Sequence, residues 1–242
     1  MTLPYVDYLE SAAAEFAAVI EQADPAARVP SCPGWTIADL VDHLAGIHRW
    51  ALSKATGEPE TDADAGLTTS ASFRLGAARL VAALRELPAD QSCWTLYPPE
   101  NVATWARRQA LETTIHLWDA AASLGSTVSI DPELAVDGVA EVVEDLYPRQ
   151  VRLGRQTPLD ATVEFAPTDA ARHVRLTGAS MSAGAARDAR DAESSSAAAT
   201  VTGAAADILL LLWGREDLES ADIAITGDLD AIRTTLAASL TP

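Results

Sequence analysis

Glu112 and His116 stand four residues apart in TWARRQALETTIHLWDA, the segment from Thr104 to Ala120. A carboxylate and an imidazole at that spacing on a helix can reach one point, about 2.0–2.2 Å from each, which suits a zinc ion. A lone His43 lies upstream in GWTIADLVDHLAGIHRW and could complete a set of two histidines and one carboxylate. Such a set, with a fourth position left open, is the pattern of catalytic zinc. The same Glu/His spacing also describes a weak surface pair worth a few tenths of a kcal/mol, so spacing alone leaves both readings open.

The surroundings of the pair are more telling. On a projection of 100° per residue, Glu112 and His116 are about 40° apart, and Arg108 and Asp119 fall within about 40° of Glu112. Leu111, Ile115, Trp118 and Ala122 run along one side of this polar stripe, and Ala106, Ala110, Leu117 and Ala121 along the other. A polar stripe between apolar ones is what an inward-facing site in a helical bundle requires. Arg108 is placed to pair with Glu112. His43 is less clear: the apolar face of its helix is centred on Ile37, Leu40, Val41, Leu44 and Ala51. His43 projects about 100° from that centre and His48 about 40°, so periodicity favours His48 as the buried histidine. His173, in an alternating segment between arginines, is expected at the surface.

These residues need elements to hold them. Val6, Leu9, Ala13, Phe16 and Ile20 recur at spacings of three and four and predict a helix over about 5–21. Asp24-Pro25 and the run Pro30-Ser-Cys-Pro-Gly34 break it. Thr36 with Asp39 three residues on is a variant of the capping box and opens a second helix to about Thr56. The acidic stretch 58–64 is a loop. A third helix is predicted over about 70–87, stopped by Pro88, and a fourth over about 102–124, ended by Gly125. Four such helices suggest a bundle.

Asp131-Pro132 begins one further helix to about Arg152 that links the two halves. Beyond Pro158, short alternating runs at 161–165, 173–177, 199–202 and 222–226 read as strands, with helices at 204–214 and 228–240 between and after them. The expected class is α+β: an amino-terminal four-helix bundle over residues 1–150 and a small α/β domain over 151–242. The segment 179–198, rich in Ala, Ser and Asp, carries no apolar period and is expected to be a mobile loop.

Composition narrows the class of function. A net charge of −18 argues against nucleic acid and anionic membranes as partners, since both require basic patches. The expected partner is a small molecule. Cys32 and Cys93 make neither a CxxC pair nor a disulfide framework, which fits a reducing cytoplasm and implies no catalytic thiol of the chain's own. The apolar run 208–213 is too short to span a bilayer. Trp35, Trp50, Trp105 and Trp118 are read as core residues.

Three motifs carry a resemblance. Val29-Pro-Ser-Cys-Pro-Gly-Trp-Thr-Ile-Ala-Asp-Leu-Val-Asp-His-Leu-Ala-Gly46, then Glu112-Thr-Thr-Ile-His-Leu-Trp-Asp119, then Leu211-Leu-Trp-Gly-Arg215 resemble the mycothiol-dependent maleylpyruvate isomerase family. That family is similar to the DinB-like metalloenzymes in its bundle and carries a smaller α/β domain after it. The resemblance implies zinc held by His43, Glu112 and His116, and it is the resemblance that selects His43 over His48. It also implies mycothiol as thiol cosubstrate. A free thiol with a pKa near about 8.5 is mostly protonated at neutral pH, whereas a zinc-bound one is deprotonated. The thiolate then adds to an activated double bond and leaves after rotation, an isomerase, or stays attached, an S-transferase.

Two further residues acquire candidate roles. Asp119 either orients a ligand imidazole or caps a surface arginine. Arg215 either holds a substrate carboxylate or developing enolate, the catalytic reading, or interacts with the dipole at a helix C-terminus. Two other functions stay in view: a hydrolase in which zinc activates water, and a binding or regulatory protein without catalysis.

Overall fold

The computed structural model describes residues 3–60, 67–177 and 197–242. They form two compact units, residues 1–129 and 130–242. The first contains four long helices: α1 (Tyr5–Gln22), α2 (Ile37–Thr56), α3 (Thr69–Glu86) and α4 (Val102–Ser123). Each starts or stops where the local chemistry directs. Thr36 and Asp39 form a full capping box at the start of α2, and the side chain of Asn101 accepts from Thr104 N at the start of α4. Gly125, with φ of 67°, takes the left-handed conformation that ends α4.

In the bundle α1 packs on α3 and α4, and α2 packs on α3 and α4. Helices consecutive in sequence, α1 and α2, are therefore not principal neighbours. Their link, residues 23–36, has to cross the end of the bundle. Two apolar clusters fill the interior. One gathers Phe16, Leu40, Leu44, Phe73, Leu117 and Ala120, with Phe16 and Phe73 ring centroids 4.8 Å apart. The other gathers Leu9, Ala51, Leu80, Leu84, Trp105 and Ala110. On α4, residues 112–116 fall between the portions that supply these two clusters, and they are polar at Glu112, Thr113, Thr114 and His116.

In the second unit, α5 (Pro132–Ala140), a π-helical segment (Glu141–Leu146) and α6 (Tyr147–Arg152) follow one another without interruption where one helix is predicted. The boundary between units thus falls at 129/130, ahead of this helical run, whereas the sequence reading divides the chain at 150. The reason is packing: α5 lies against α7 (Ala205–Leu212), whose residues 208–212 are all buried leucines and an isoleucine. The four strands β1 (Val163–Pro167), β2 (Val174–Leu176), β3 (Ala199–Gly203) and β4 (Ile223–Gly227) form one sheet in the order β2-β1-β3-β4. Only the central β1–β3 pair is parallel. β1 and β3 bury alternate residues, as a sheet covered on one face requires. α8 (Leu229–Leu236), capped by Asp228, packs on β1 and β3. The α+β class expected from sequence is the one observed. Most of the expected loop at 179–198 lies outside the described residues. Among the described residues no helix is long and apolar enough to cross a membrane.

Candidate metal centre

Helix α4 is buried along most of its length, including its polar stripe: Arg108, Glu112, His116 and Asp119 are all inside the first unit. A carboxylate so placed requires compensation, because burying an unpaired charge costs several kcal/mol. Arg108, one turn earlier on α4, supplies part of it by pairing with Glu112 Oε2. The other oxygen, Oε1, faces two imidazoles. His116 Nε2 lies 3.3 Å from it and His43 Nε2 3.4 Å. The His43 and His116 rings meet edge to face at 5.0 Å.

Ligand atoms from His43, Glu112 and His116 all lie within 4.8 Å of one another. For tetrahedral zinc with bonds of about 2.1 Å, neighbouring ligand atoms sit about 3.4 Å apart. The two contacts to Glu112 Oε1 match that edge. The orientation of the rings points the same way. His116 Nδ1 is 2.9 Å from Asp119 Oδ2, so that nitrogen donates to the carboxylate and Nε2 is the one that faces Glu112 Oε1. Burial first, then His116 and Arg108, lower the pKa of His43 to about 4, so it is a neutral imidazole at pH 7, the form that binds metals. The residues fit a divalent cation.

A second set, Cys32, His116 and Asp119, also brings ligand-type atoms together. Its shortest contact, the 2.9 Å between Nδ1 and Oδ2, is a hydrogen bond rather than a coordination edge. Ser31 Oγ donates to Asp119 Oδ1 at 2.6 Å and Cys32 Sγ to Oδ2 at 3.5 Å. Asp119 therefore lies against the imidazole of His116, a candidate ligand.

His48, favoured by periodicity, is fully buried, with Nε2 3.0 Å from Thr113 Oγ1. Its burial was legible, and it is not a member of the His43, Glu112 and His116 set. His173 is exposed beside Glu164, as expected. Arg215 follows the C-terminus of α7. It donates from Nη1 to Trp213 O and lies 5.5 Å over the Trp213 ring, the position of a residue interacting with the helix end. Of the tryptophans, Trp105 is core, while Trp35, Trp50 and Trp118 are half-buried. Sequence reasoning passed over Ser31, whose only local signal is its place between two prolines ahead of Gly34.

Comparison with known proteins adds the lineage. The domain family described as the mycothiol maleylpyruvate isomerase N-terminal domain matches residues 7–121, and its C-terminal counterpart matches residues 133–234. The chain belongs to the mycothiol-dependent maleylpyruvate isomerase family. Among family relatives, an uncharacterized protein of Mycobacterium tuberculosis strain H37Rv is 31% identical over 133 residues, 52% of this chain and 70% of the relative. Its counterpart in strain CDC 1551 matches equally. The crystal structure of the mycothiol-dependent maleylpyruvate isomerase shares the fold, with a TM-score of 0.55 and 14% identity over 95% of this chain and 98% of that one. A mutant of that enzyme gives 0.53, again at 14% identity, over 87% and 91%.

Proposed function

We propose that this family member is a zinc enzyme that uses mycothiol to isomerise a small unsaturated acid of the maleylpyruvate type. One observation supports it above the rest: a carboxylate oxygen and two imidazole nitrogens converge, each nitrogen 3.3–3.4 Å from Glu112 Oε1, with the other nitrogen of His116 held by Asp119. His43, Glu112 and His116 hold the metal in this reading. A zinc ion held by these three residues would supply deprotonation of a thiol at neutral pH.

The chain's own residues do the rest. Arg108 pairs with Oε2 of Glu112 and leaves Oε1 as the oxygen that faces the two histidines. Asp119 holds the His116 ring and its tautomer. The thiolate adds to the double bond, forming a carbon–sulfur bond while the π pair moves onto the adjoining carbonyl as an enolate. Rotation about the resulting single bond and return of the pair expel the thiolate and leave the isomerised acid.

Isomerisation of maleylpyruvate by zinc-loaded protein, followed with and without mycothiol, tests this. Turnover that needs both mycothiol and metal, and that Glu112→Ala abolishes, is the expected result. Turnover of ester or amide substrates with no thiol present would replace it with the hydrolase reading, and binding without conversion would replace it with a non-catalytic one.

A further inference from the structure

The loop that crosses the bundle end between α1 and α2 is held like a small rigid part. Val29 N donates to Trp35 O, Cys32 N to Val29 O, Trp35 N to Cys32 O and Ile37 N to Ala27 O, all between 2.9 and 3.1 Å. Arg28 donates from Nη1 to Gly34 O, and Gly34 has φ of 90°, a conformation that favours glycine. Pro30 and Pro33 fix two further backbone angles.

This rigid loop meets both candidate ligand histidines. Ser31 donates to one oxygen of Asp119 and Cys32 to the other, across separations of 88 and 87 residues, and Asp119 in turn accepts from His116 Nδ1. Four residues on, the Trp35 ring packs against the His43 ring, with centroids 4.9 Å apart and planes tilted by 59°. Asp119 is fully buried, so its orientation is set by the donors that reach it.

We infer that the 29–35 loop is a positioning template for the metal centre: Ser31 and Cys32 lock Asp119, and through it the His116 tautomer, while Trp35 fixes the plane of the His43 ring. In this role the loop acts through Asp119 and the His43 ring. Cys32 acts through its thiol proton and is not a ligand. This rests on the metal reading above, and outer partners of ligand histidines typically change metal affinity about 10–100-fold.

The test measures zinc affinity by chelator competition, and the visible spectrum of the cobalt-substituted protein, for wild type, Ser31→Ala, Ser31→Thr, Trp35→Ala and Trp35→Phe. Nitrogen-15 NMR of the metal-free protein reads the His116 tautomer independently of any metal. The expected result is a loss of about tenfold in affinity for Ser31→Ala and Trp35→Ala. Their cobalt spectra should be altered, Ser31→Thr and Trp35→Phe should retain most of the affinity, and Ser31→Ala should lose the single Nδ1–H tautomer. Unchanged affinities and spectra in folded variants, with wild type still binding metal, would overturn the template and leave the metal centre standing. A sulfur-to-cobalt charge-transfer band that Cys32→Ser removes would overturn it too, by making Cys32 a ligand. Failure of wild type to bind zinc or cobalt would overturn both readings together.

Discussion

His116 Nδ1 lies 2.9 Å from Asp119 Oδ2, three residues along the same helix, and this bond decides which imidazole nitrogen faces Glu112. Removing the acceptor frees the ring to take the other tautomer, with a proton pointed where a cation would sit. Asp119→Asn keeps the volume and can present an amide NH₂ instead. Zinc affinity should fall by about tenfold or more, measured by chelator competition. Equal affinity would show that the ring is held by packing alone.

The ligand set itself predicts metal content. Wild-type protein purified without chelator should carry a divalent metal on most chains, and His43→Ala and His116→Ala should each lose most of it by elemental analysis. His48→Ala should keep its metal, because His48 faces Thr113. Loss in His48→Ala together with retention in His43→Ala would move the site.

Arg108 and Glu112 form a buried pair, both less than 10% exposed. Deleting one member of such a pair typically costs about 3–5 kcal/mol because the other is left uncompensated. Arg108→Ala should therefore lower the stability of the metal-free protein by that order in urea denaturation. Zinc should restore part of the loss, since a cation near Glu112 replaces some of the missing charge. A variant as stable as wild type would mean that water reaches the carboxylate.

His48 makes stability depend on pH. Burial, with His116 adding to it, lowers its pKa to about 3 in the folded chain, against the ordinary 6.5 of an exposed histidine. Between those values the unfolded chain binds the extra proton, so stability falls as pH falls through that window and is independent of this group above it. The slope approaches about 1.4 kcal/mol per pH unit for a single proton. Comparing the pH dependence of urea midpoints in wild type and His48→Gln should show a shallower slope in the variant between pH 6.5 and 4. Parallel curves would assign the acid sensitivity elsewhere.

Gly34 tests the rigidity of the loop. A Cβ there meets no atom within 4 Å, so Gly34→Ala should cost only the left-handed backbone strain, about 1–2 kcal/mol. Thermal unfolding measures it. A much larger loss would indicate that the backbone moves and takes the contacts of Ser31 with it.

The bundle and the inward face of α4 were legible in sequence because both are written at period 3.6. Arg108, Glu112, His116 and Asp119 recur on one side of α4, and the cap at Thr36 marks where α2 begins. His43 was not legible by that route. It projects to the margin of the apolar face of α2, and what covers it is Trp35, from the loop just before that helix. The contacts of Ser31 and Cys32 with Asp119 join segments nearly ninety residues apart, and no local pattern encodes them. The unit boundary was misread for a similar reason. The helical run from Pro132 could serve either half, and its packing on α7 assigns it to the second.

Four of the site's side chains are spaced along one uninterrupted helix whose start is set by Asn101. That helix works as a ruler. Inserting a single residue between the cap and Arg108, while the cap stays in place, would turn all four by about 100° together. Their spacing to one another would be intact, yet Glu112 and His116 would leave His43 and the 29–35 loop behind. The chemistry is thus indexed to a capping bond more than ten residues away, and changes in length there should be tolerated far less readily than changes in side-chain type.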